Sequence, residues 1–347
     1  MSALLWIRTA AALLFAAIAV GPAANSQSSP ELESFFAQNI GLTPDEIADL
    51  RTGKPVVKAL PPRTPAEVFL FGAVFIAGPP ERYLESASDL VRRRNSPGYL
   101  SFSLISIPPQ LPDWDGFKFE IEDVEALKRC KPGDCQIQLP ATSIEELQRL
   151  VDWTAPDVSE QINQSLRQTA NLQLRQYQRQ GAAALGSYHD KRDPIEVAQQ
   201  FAYMLSYVKV LPARLPDFYR YLLEYPNAKP VNVNNAFYWT RVKFGLKPTL
   251  RVVHVLTMAG GPTDPVAFAI AEKQLYASHY FETAMDLTFC VRGGDSKRPG
   301  FYLISTLGSE QAGLSGPKGS VIRKAAVGRS LATLRESLAQ TKKEIEN

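Results

Sequence analysis

Five segments in which apolar and polar residues alternate follow one another between residues 237 and 307, and this run limits the possible folds more than any other feature. Alternation with a period of two is typical of strands that have one buried face. Most of the connections contain Gly or Pro, which favour turns. The connection at 277–280 contains neither, but an unbroken strand there would far exceed the usual ~10 residues, so a turn or bulge is expected. The sequence predicts an antiparallel meander with strands at 237–244, 250–258, 266–276, 281–291 and 301–307.

A long amphipathic helix is predicted directly after the meander, at residues 321–345. Apolar residues recur at helical spacing along one side of it, namely Val327, Leu331, Leu334, Leu338 and Ile345. The Gly-rich loop at 308–319 leads into this helix and has two possible roles. It either connects sheet and helix flexibly above a cavity, or holds an anion at the helix N-terminus with the help of Lys318, Arg323 and Lys324.

The chain before the meander mixes strands and helices. Strands are predicted from apolar runs and alternation at 66–78, 99–107, 117–121 and 136–139. A helix is predicted after the Pro79-Pro80 pair, through about residue 94.

The middle third of the chain has helical periodicity. Ser143 and Glu146 form a capping-box pattern at its start. Its longest helix is predicted at 157–185, with an apolar face and an outer face rich in Gln.

For the chain as a whole, we expect an N-terminal helical attachment at residues 27–60, followed by one α+β domain at residues 61–347 with a helical section at 143–225.

The order of these elements resembles the helix-grip arrangement of START and related lipid-transfer domains. The resemblance rests on residues 66–89 and on residues 237–347, including Gly316-Pro-Lys-Gly-Ser320 at the start of the last helix. It implies an α+β fold in which a curved antiparallel sheet packs on the long C-terminal helix, with a ligand cavity between them. The middle helical section is longer than that family needs.

A second resemblance covers nearly the whole chain after residue 26. The sequences Cys130-Lys-Pro-Gly-Asp-Cys135, Phe237-Tyr-Trp239, Lys247-Pro248 and residues 273–281 are similar to those of a family of exported, uncharacterised bacterial proteins. That resemblance implies export and supplies no activity.

Residues 1–26 are typical of a cleavable secretory signal peptide, with Arg8, an apolar run at 10–20 and small residues up to Ser26. The run is shorter than the roughly 20 apolar residues that span a bilayer, which argues against an uncleaved anchor. We expect export through the Sec-type route to the periplasm or the extracellular space, with no transmembrane anchor after cleavage. Loss of Arg8 lowers the formal net charge from +3 to +2. Neither nucleic acid nor an anionic membrane is therefore an evident partner.

The chain has three cysteines, and two of them flank a Lys-Pro-Gly-Asp turn at Cys130 and Cys135. The turn brings the two sulfurs together, and an exported protein keeps a disulfide, so we expect one here. The alternatives are two free thiols or half of a zinc site. No second pair of Cys or His has ligand spacing, and no metal is expected. Cys290 is expected to be free and buried.

Motifs for common enzymes and nucleotide sites are missing from the sequence. It contains no G-x-S-x-G, H-E-x-x-H, G-x-x-x-x-G-K or G-x-G-x-x-G pattern. Asp113 and Asp115 begin a segment with a faint likeness to a calcium loop, but the later acidic ligands do not follow at the required spacing. No cofactor is expected, and ATP or NAD least of all.

The candidate binding residues lie on the predicted meander. Lys273 shares strand parity with Leu275, so its ammonium should face the sheet interior, where it needs either a protein carboxylate or the acidic head group of a ligand. His254 is either a hydrogen-bonded core residue or a cavity residue. His279 is close in sequence to hydroxyl and carboxylate groups, which suit either acid–base chemistry or capping of backbone groups. The complete candidate set is Lys273, His279, His254, Tyr276, Trp239 and Phe237.

Three functions remain open from the sequence. The favoured one is binding of an apolar or amphipathic small molecule in a cavity between sheet and terminal helix, without covalent chemistry. The second is a periplasmic hydrolase or cyclase-like enzyme that uses a cavity histidine. The third is a structural or partner-binding envelope protein that docks through its Gln-rich helices.

Overall fold

The computed structural model describes residues 30–91, 98–208, 210–244, 247–294 and 297–347. The predicted signal peptide lies outside these residues. The described part is a mixed α and β structure built on one eight-stranded antiparallel sheet. Among the described helices, none is long and apolar enough to cross a bilayer.

The sheet has the strand order β1-β2-β10-β9-β8-β7-β6-β3. Its strands are β1 (Val56–Leu60), β2 (Glu67–Ala77), β3 (Tyr99–Ile105), β6 (Val233–Phe244), β7 (Lys247–Ala259), β8 (Val266–Ala277), β9 (Thr283–Gly294) and β10 (Pro299–Glu310). A separate two-stranded hairpin pairs β4 (Ser187–Tyr188) with β5 (Ile195–Glu196). The predicted five-strand meander is therefore present as β6 to β10.

Helices cover both faces of the sheet. They are α1 (Pro30–Ser34), α2 (Pro44–Thr52), α3 (Pro80–Ser88), α4 (Ile121–Leu127), α5 (Ala141–Leu150), α6 (Val158–Gln180), α7 (Val197–Leu205), α8 (Val210–Arg214), α9 (Pro216–Glu224) and α10 (Gly316–Glu346). Short turns of other helix types occur at Phe35–Ile40, Leu111–Trp114, Gly181–Ala184 and Ala312–Leu314.

Alternate side chains of β2 lie on opposite faces of the sheet and show which core each face forms. Phe69, Phe71 and Phe75 belong to the large core formed with the N-terminal and middle helices, whereas Leu70 and Val74 belong to the core under α10. The molecule thus has three layers: α3 and α10, the sheet, and a thick helical layer.

The terminal helix packs closely on its face of the sheet. Leu334 and Leu338 lie so near Gly72 that a Cβ there would be 2.8–2.9 Å from their side-chain atoms. Leu334, Leu338 and Ile345 are buried in this core, which confirms the packing of sheet on terminal helix.

Two predicted strands are wrong. Residues 117–120 form no strand, and helix α4 follows from Ile121. Phe117 and Phe119 are buried in alternation because the extended segment packs on the core, but the Phe119 N–H donates to the Asn163 side chain instead of a strand. Residues 136–139 also form no strand.

Two helix boundaries differ from the sequence-based expectation. Helix α5 begins at Ala141 after Pro140, so Ser143 is not its N-cap. Strand β1 lies within residues 27–60 and pairs with β2. Helix α3 ends at Ser88, and residues 92–94 of the predicted helix lie outside the described residues.

Cys130 and Cys135 form the predicted disulfide, with their sulfurs 2.10 Å apart. The turn between them hydrogen-bonds to the segment that carries β4: the Gly133 N–H donates to the His189 carbonyl and the Cys135 N–H to that of Asp190. Cys290 is free and buried.

Candidate functional site

A pocket lies between the sheet and the helical layer, on the face of the sheet that is turned away from α10. The sheet contributes Val252, Leu275 and Tyr276, and α6 contributes the wall above them. The principal wall residues are apolar or aromatic: Trp114, Phe117, Leu139, Leu174, Tyr177 and Tyr188. Ser143, Thr169 and Gln173 are the polar exceptions, and the last two are exposed at the mouth.

An irregular step in the β7–β8 pairing shapes the floor of this pocket. Val252 pairs with Tyr276 but Val253 pairs with Gln274, so Leu275 is an extra residue on β8. Such a bulge breaks the alternation of faces. As a result Leu275 and Tyr276, although consecutive, both line the pocket.

The pocket is small, with a volume of about 80 Å³. One water needs about 10–15 Å³ by this kind of measure, and a dry cavity of about 150 Å³ accepts benzene. The pocket therefore has room for a short aliphatic group, while the remainder of a larger molecule would lie at the mouth.

Tyr276 brings an unsatisfied polar group to the pocket wall. Its hydroxyl is buried and has no hydrogen-bond partner among the described residues. Burial, followed by the nearby Tyr188, Asp123 and Asp190, holds its pKa well above 10.0, so the hydroxyl keeps its proton. A buried O–H without a partner is costly, typically by about 1–3 kcal/mol.

Lys273 lies deeper in the same layer and is 1% exposed. It faces the helical layer, as its parity with Leu275 predicts, but its partner is neither a carboxylate nor a pocket ligand. The Nζ atom donates to the Leu222 carbonyl at 3.1 Å. The rings of Phe201 and Tyr177 lie 4.9 and 5.9 Å from the ammonium.

The Leu222 carbonyl needs this donor for a reason visible in the sequence. It lies in the last turn of α9, and the residue four positions later is Pro226, which has no N–H. The ammonium therefore caps the carboxyl end of the helix, where a cation is favoured. Burial still lowers the pKa of Lys273 from 10.5 to about 8.

His254 on β7 is paired with Lys273 on the neighbouring strand β8, and it is fully buried. Burial and the charge of Lys273 lower its pKa well below 6.5, so the ring is neutral. Its Nε2 atom is 2.8 Å from the Asn235 Oδ1 atom and its Nδ1 atom is 2.9 Å from the Tyr177 hydroxyl. A neutral ring has one N–H, so Nε2 donates to Asn235 and Nδ1 accepts from Tyr177.

His279 is held in a separate cluster at the β8–β9 turn. Its Nδ1 atom is 3.0 Å from the Gln136 carbonyl, and its Nε2 atom is 3.1 Å from an Asp123 carboxylate oxygen. Both ring nitrogens are thus occupied by chain groups from the 121–139 segment. The side chain ties that segment to the sheet.

The structure therefore separates most of the six candidates from the pocket. Tyr276 lines it; His254, Lys273, Phe237 and Trp239 lie in the core beside it, and all five belong to the face away from α10. We expected them under the terminal helix, and this location was wrong. Phe237 stacks on His254 with ring centres 4.3 Å apart, and the Trp239 indole N–H donates to the Asp113 carbonyl.

Sequence reasoning missed Trp114 and Tyr188 as wall residues. Neither lies on a long periodic element, because Trp114 ends a short turn and Tyr188 lies in a two-residue strand. The apolar face of α6, with Leu174 and Tyr177, was the available signal. That face predicted that one side of α6 is buried, but it did not predict which residues of the chain lie opposite it.

Neither a family model nor a curated protein sequence matches this chain. Among the described residues, no group of three or more His, Cys, Asp or Glu side chains is placed to hold a metal ion.

Proposed function

We propose that this chain is an exported protein that binds a small apolar or amphipathic molecule in the pocket between the sheet and α6. The observation that carries the proposal is the combination of an apolar wall with the partnerless hydroxyl of Tyr276. Ligand sites are typically apolar with a few polar groups that fix orientation. A ligand hydroxyl or carbonyl beside Tyr276 would remove the cost of its unsatisfied O–H.

The size of the pocket restricts the ligand. At about 80 Å³ it admits a short chain or a branched aliphatic end, not a whole lipid. The exposed side chains of Thr169 and Gln173 then face the polar part of an amphipathic ligand at the mouth. This pocket is on the sheet face opposite the terminal helix. The proposal therefore keeps only the general likeness to helix-grip proteins, which is an antiparallel sheet with a long C-terminal helix, and not their cavity between sheet and helix.

No specific observation favours the two alternative functions. Both His254 and His279 are packed against chain groups, and neither lines the pocket. Among the large hydrophobic residues of α6, Leu172 is the one that is exposed.

The proposal is tested with a series of primary alcohols from ethanol to octanol. Binding is followed in methyl-labelled protein by NMR shifts of the pocket methyl groups of Leu139, Leu174 and Leu275. Each added methylene should strengthen binding about fourfold until the pocket is full, since a buried CH₂ contributes about 0.8 kcal/mol.

Two neighbouring alanines supply a matched pair of variants. Ala184 lines the pocket, whereas Ala183 is exposed and does not. Ala184→Leu should abolish the chain-length dependence, and Ala183→Leu should leave it unchanged. Equal binding by both variants, or shifts spread evenly over the methyl groups of the protein, would refute the pocket as the site.

A further inference from the structure

The charged side chains in the first half of α10 are all basic, although the net charge of the protein is small. Between residues 316 and 335 there are five basic side chains and no acidic one. The first acidic residue of the helix is Glu336. This composition lies on a long helix that is only partly used for packing, since its core contacts begin near Val327.

Part of this charge lies on a single stripe with exposed aliphatic residues. Lys318, Val321, Ile322, Ala325 and Arg329 follow one another at intervals of three, one, three and four residues, which places them on one side of the helix. We call them the outer stripe. Val321 is 72% exposed and Ile322 56% exposed, and Lys318 and Arg329 are also exposed.

The outer stripe points away from the protein. Val327, Leu331 and Leu334, on the other side of the helix, pack on the sheet. Arg323 does not belong to the stripe: it is half-buried and donates to the Pro65 carbonyl, which fixes this end of α10 to the body of the protein. The outer stripe therefore presents two aliphatic and two basic side chains to the solvent, on a helix that is fixed to the body of the protein.

We propose that the outer stripe docks α10 on an anionic lipid surface. Basic side chains attract acidic headgroups, and aliphatic side chains between them enter the headgroup–acyl boundary, which is how interfacial amphipathic helices bind. Two neighbouring exposed aliphatic residues favour this partner over nucleic acid, whose phosphates are contacted by polar groups. The protein remains peripheral, because the helix lies on the surface and does not span it.

The first measurement is co-sedimentation of the exported, purified protein with vesicles. Mixed phosphatidylglycerol–phosphatidylcholine vesicles should bind it, phosphatidylcholine vesicles should bind it much less, and high salt should release it. Lys318→Gln/Arg329→Gln should weaken binding about 25-fold, since each basic residue near the surface contributes about fivefold. Lys243→Gln, at an exposed lysine on β6 instead of α10, is the matched control and should leave binding nearly unchanged.

A second measurement reports on the stripe itself, whatever else in the protein touches lipid. Val321→Cys and Val231→Cys place an environment-sensitive fluorophore at two exposed valines, one on the stripe and one before β6. Phosphatidylglycerol vesicles should shift the emission to the blue at position 321 only. No shift at 321, an equal shift at both positions, or displacement of the protein from vesicles by added DNA at unchanged salt would overturn the proposal.

Discussion

Replacement of Lys273 by methionine should change how the stability of the protein depends on pH. The folded state holds this ammonium in the core with one carbonyl acceptor and two aromatic rings, and its pKa falls from 10.5 to about 8. The unfolded chain therefore binds the proton more tightly than the folded chain does. Below about pH 8 the folded protein bears the full cost of the buried charge, and stability rises as the pH increases from 8 to 10.5.

The size of this effect follows from the shift. A difference of about 2.5 pKa units at about 1.36 kcal/mol each gives about 3 kcal/mol of cost at neutral pH. The methionine variant removes that cost but leaves the Leu222 carbonyl without a donor, which costs about 1–3 kcal/mol. At pH 7 the variant should be as stable as the wild type or slightly more stable. Near pH 10 it should be less stable, because the neutral amine still caps the carbonyl in the wild type.

The assay is urea unfolding of both proteins at a series of pH values from about 7 to 10. The difference in the free energy of unfolding should change by about 3 kcal/mol across the series and reverse its sign. Groups that do not interact with Lys273 titrate equally in both proteins and cancel in the difference. Lys243→Met, at an exposed lysine on β6, should show no such change. A difference for Lys273→Met that is constant with pH would refute the account of a buried, destabilised charge.

Two further outcomes concern stability. Removal of the disulfide in Cys130→Ser/Cys135→Ser should lower the free energy of unfolding by about 2 kcal/mol, the value that the loop-entropy model gives for so short a loop; an unchanged urea midpoint would contradict this. Gly181→Ala should cost at least about 3 kcal/mol in thermal or urea unfolding, because its Cβ would lie 1.6 Å from a backbone carbonyl oxygen. Gly186 has the same φ of 65° as Gly181 but open space around it, so Gly186→Ala should cost only about 1–2 kcal/mol. Equal losses of stability in the two alanine variants would contradict the packing argument.

The local features of the fold were predictable, because they depend on short-range periodicity. The meander, the terminal helix and the inward direction of Lys273 all follow from it. The same signal produced the wrong strand at 117–121, since Phe117 and Phe119 alternate without a partner strand. Burial alternates in any extended segment on a core, whether or not a ladder forms.

The site was less predictable, because it depends on pairings between distant parts of the chain. The partner of Lys273 is a carbonyl 51 residues away, exposed by a proline that has no visible link to the lysine in sequence. The pocket itself was expected under α10. Its true position follows from which face of the sheet the helical section covers, and periodicity does not distinguish the two faces.

The bulge at Leu275 has a consequence for how such a pocket arises. Because the pairing is regular on both sides of this one residue, its deletion would leave every other β7–β8 pair as it is now. A single-codon insertion is therefore enough to add a second consecutive side chain to the floor of the pocket while the rest of the sheet stays the same. Chains with and without this residue would share one scaffold and differ in the shape of the pocket floor, so the length of β8 is a simple marker for that difference.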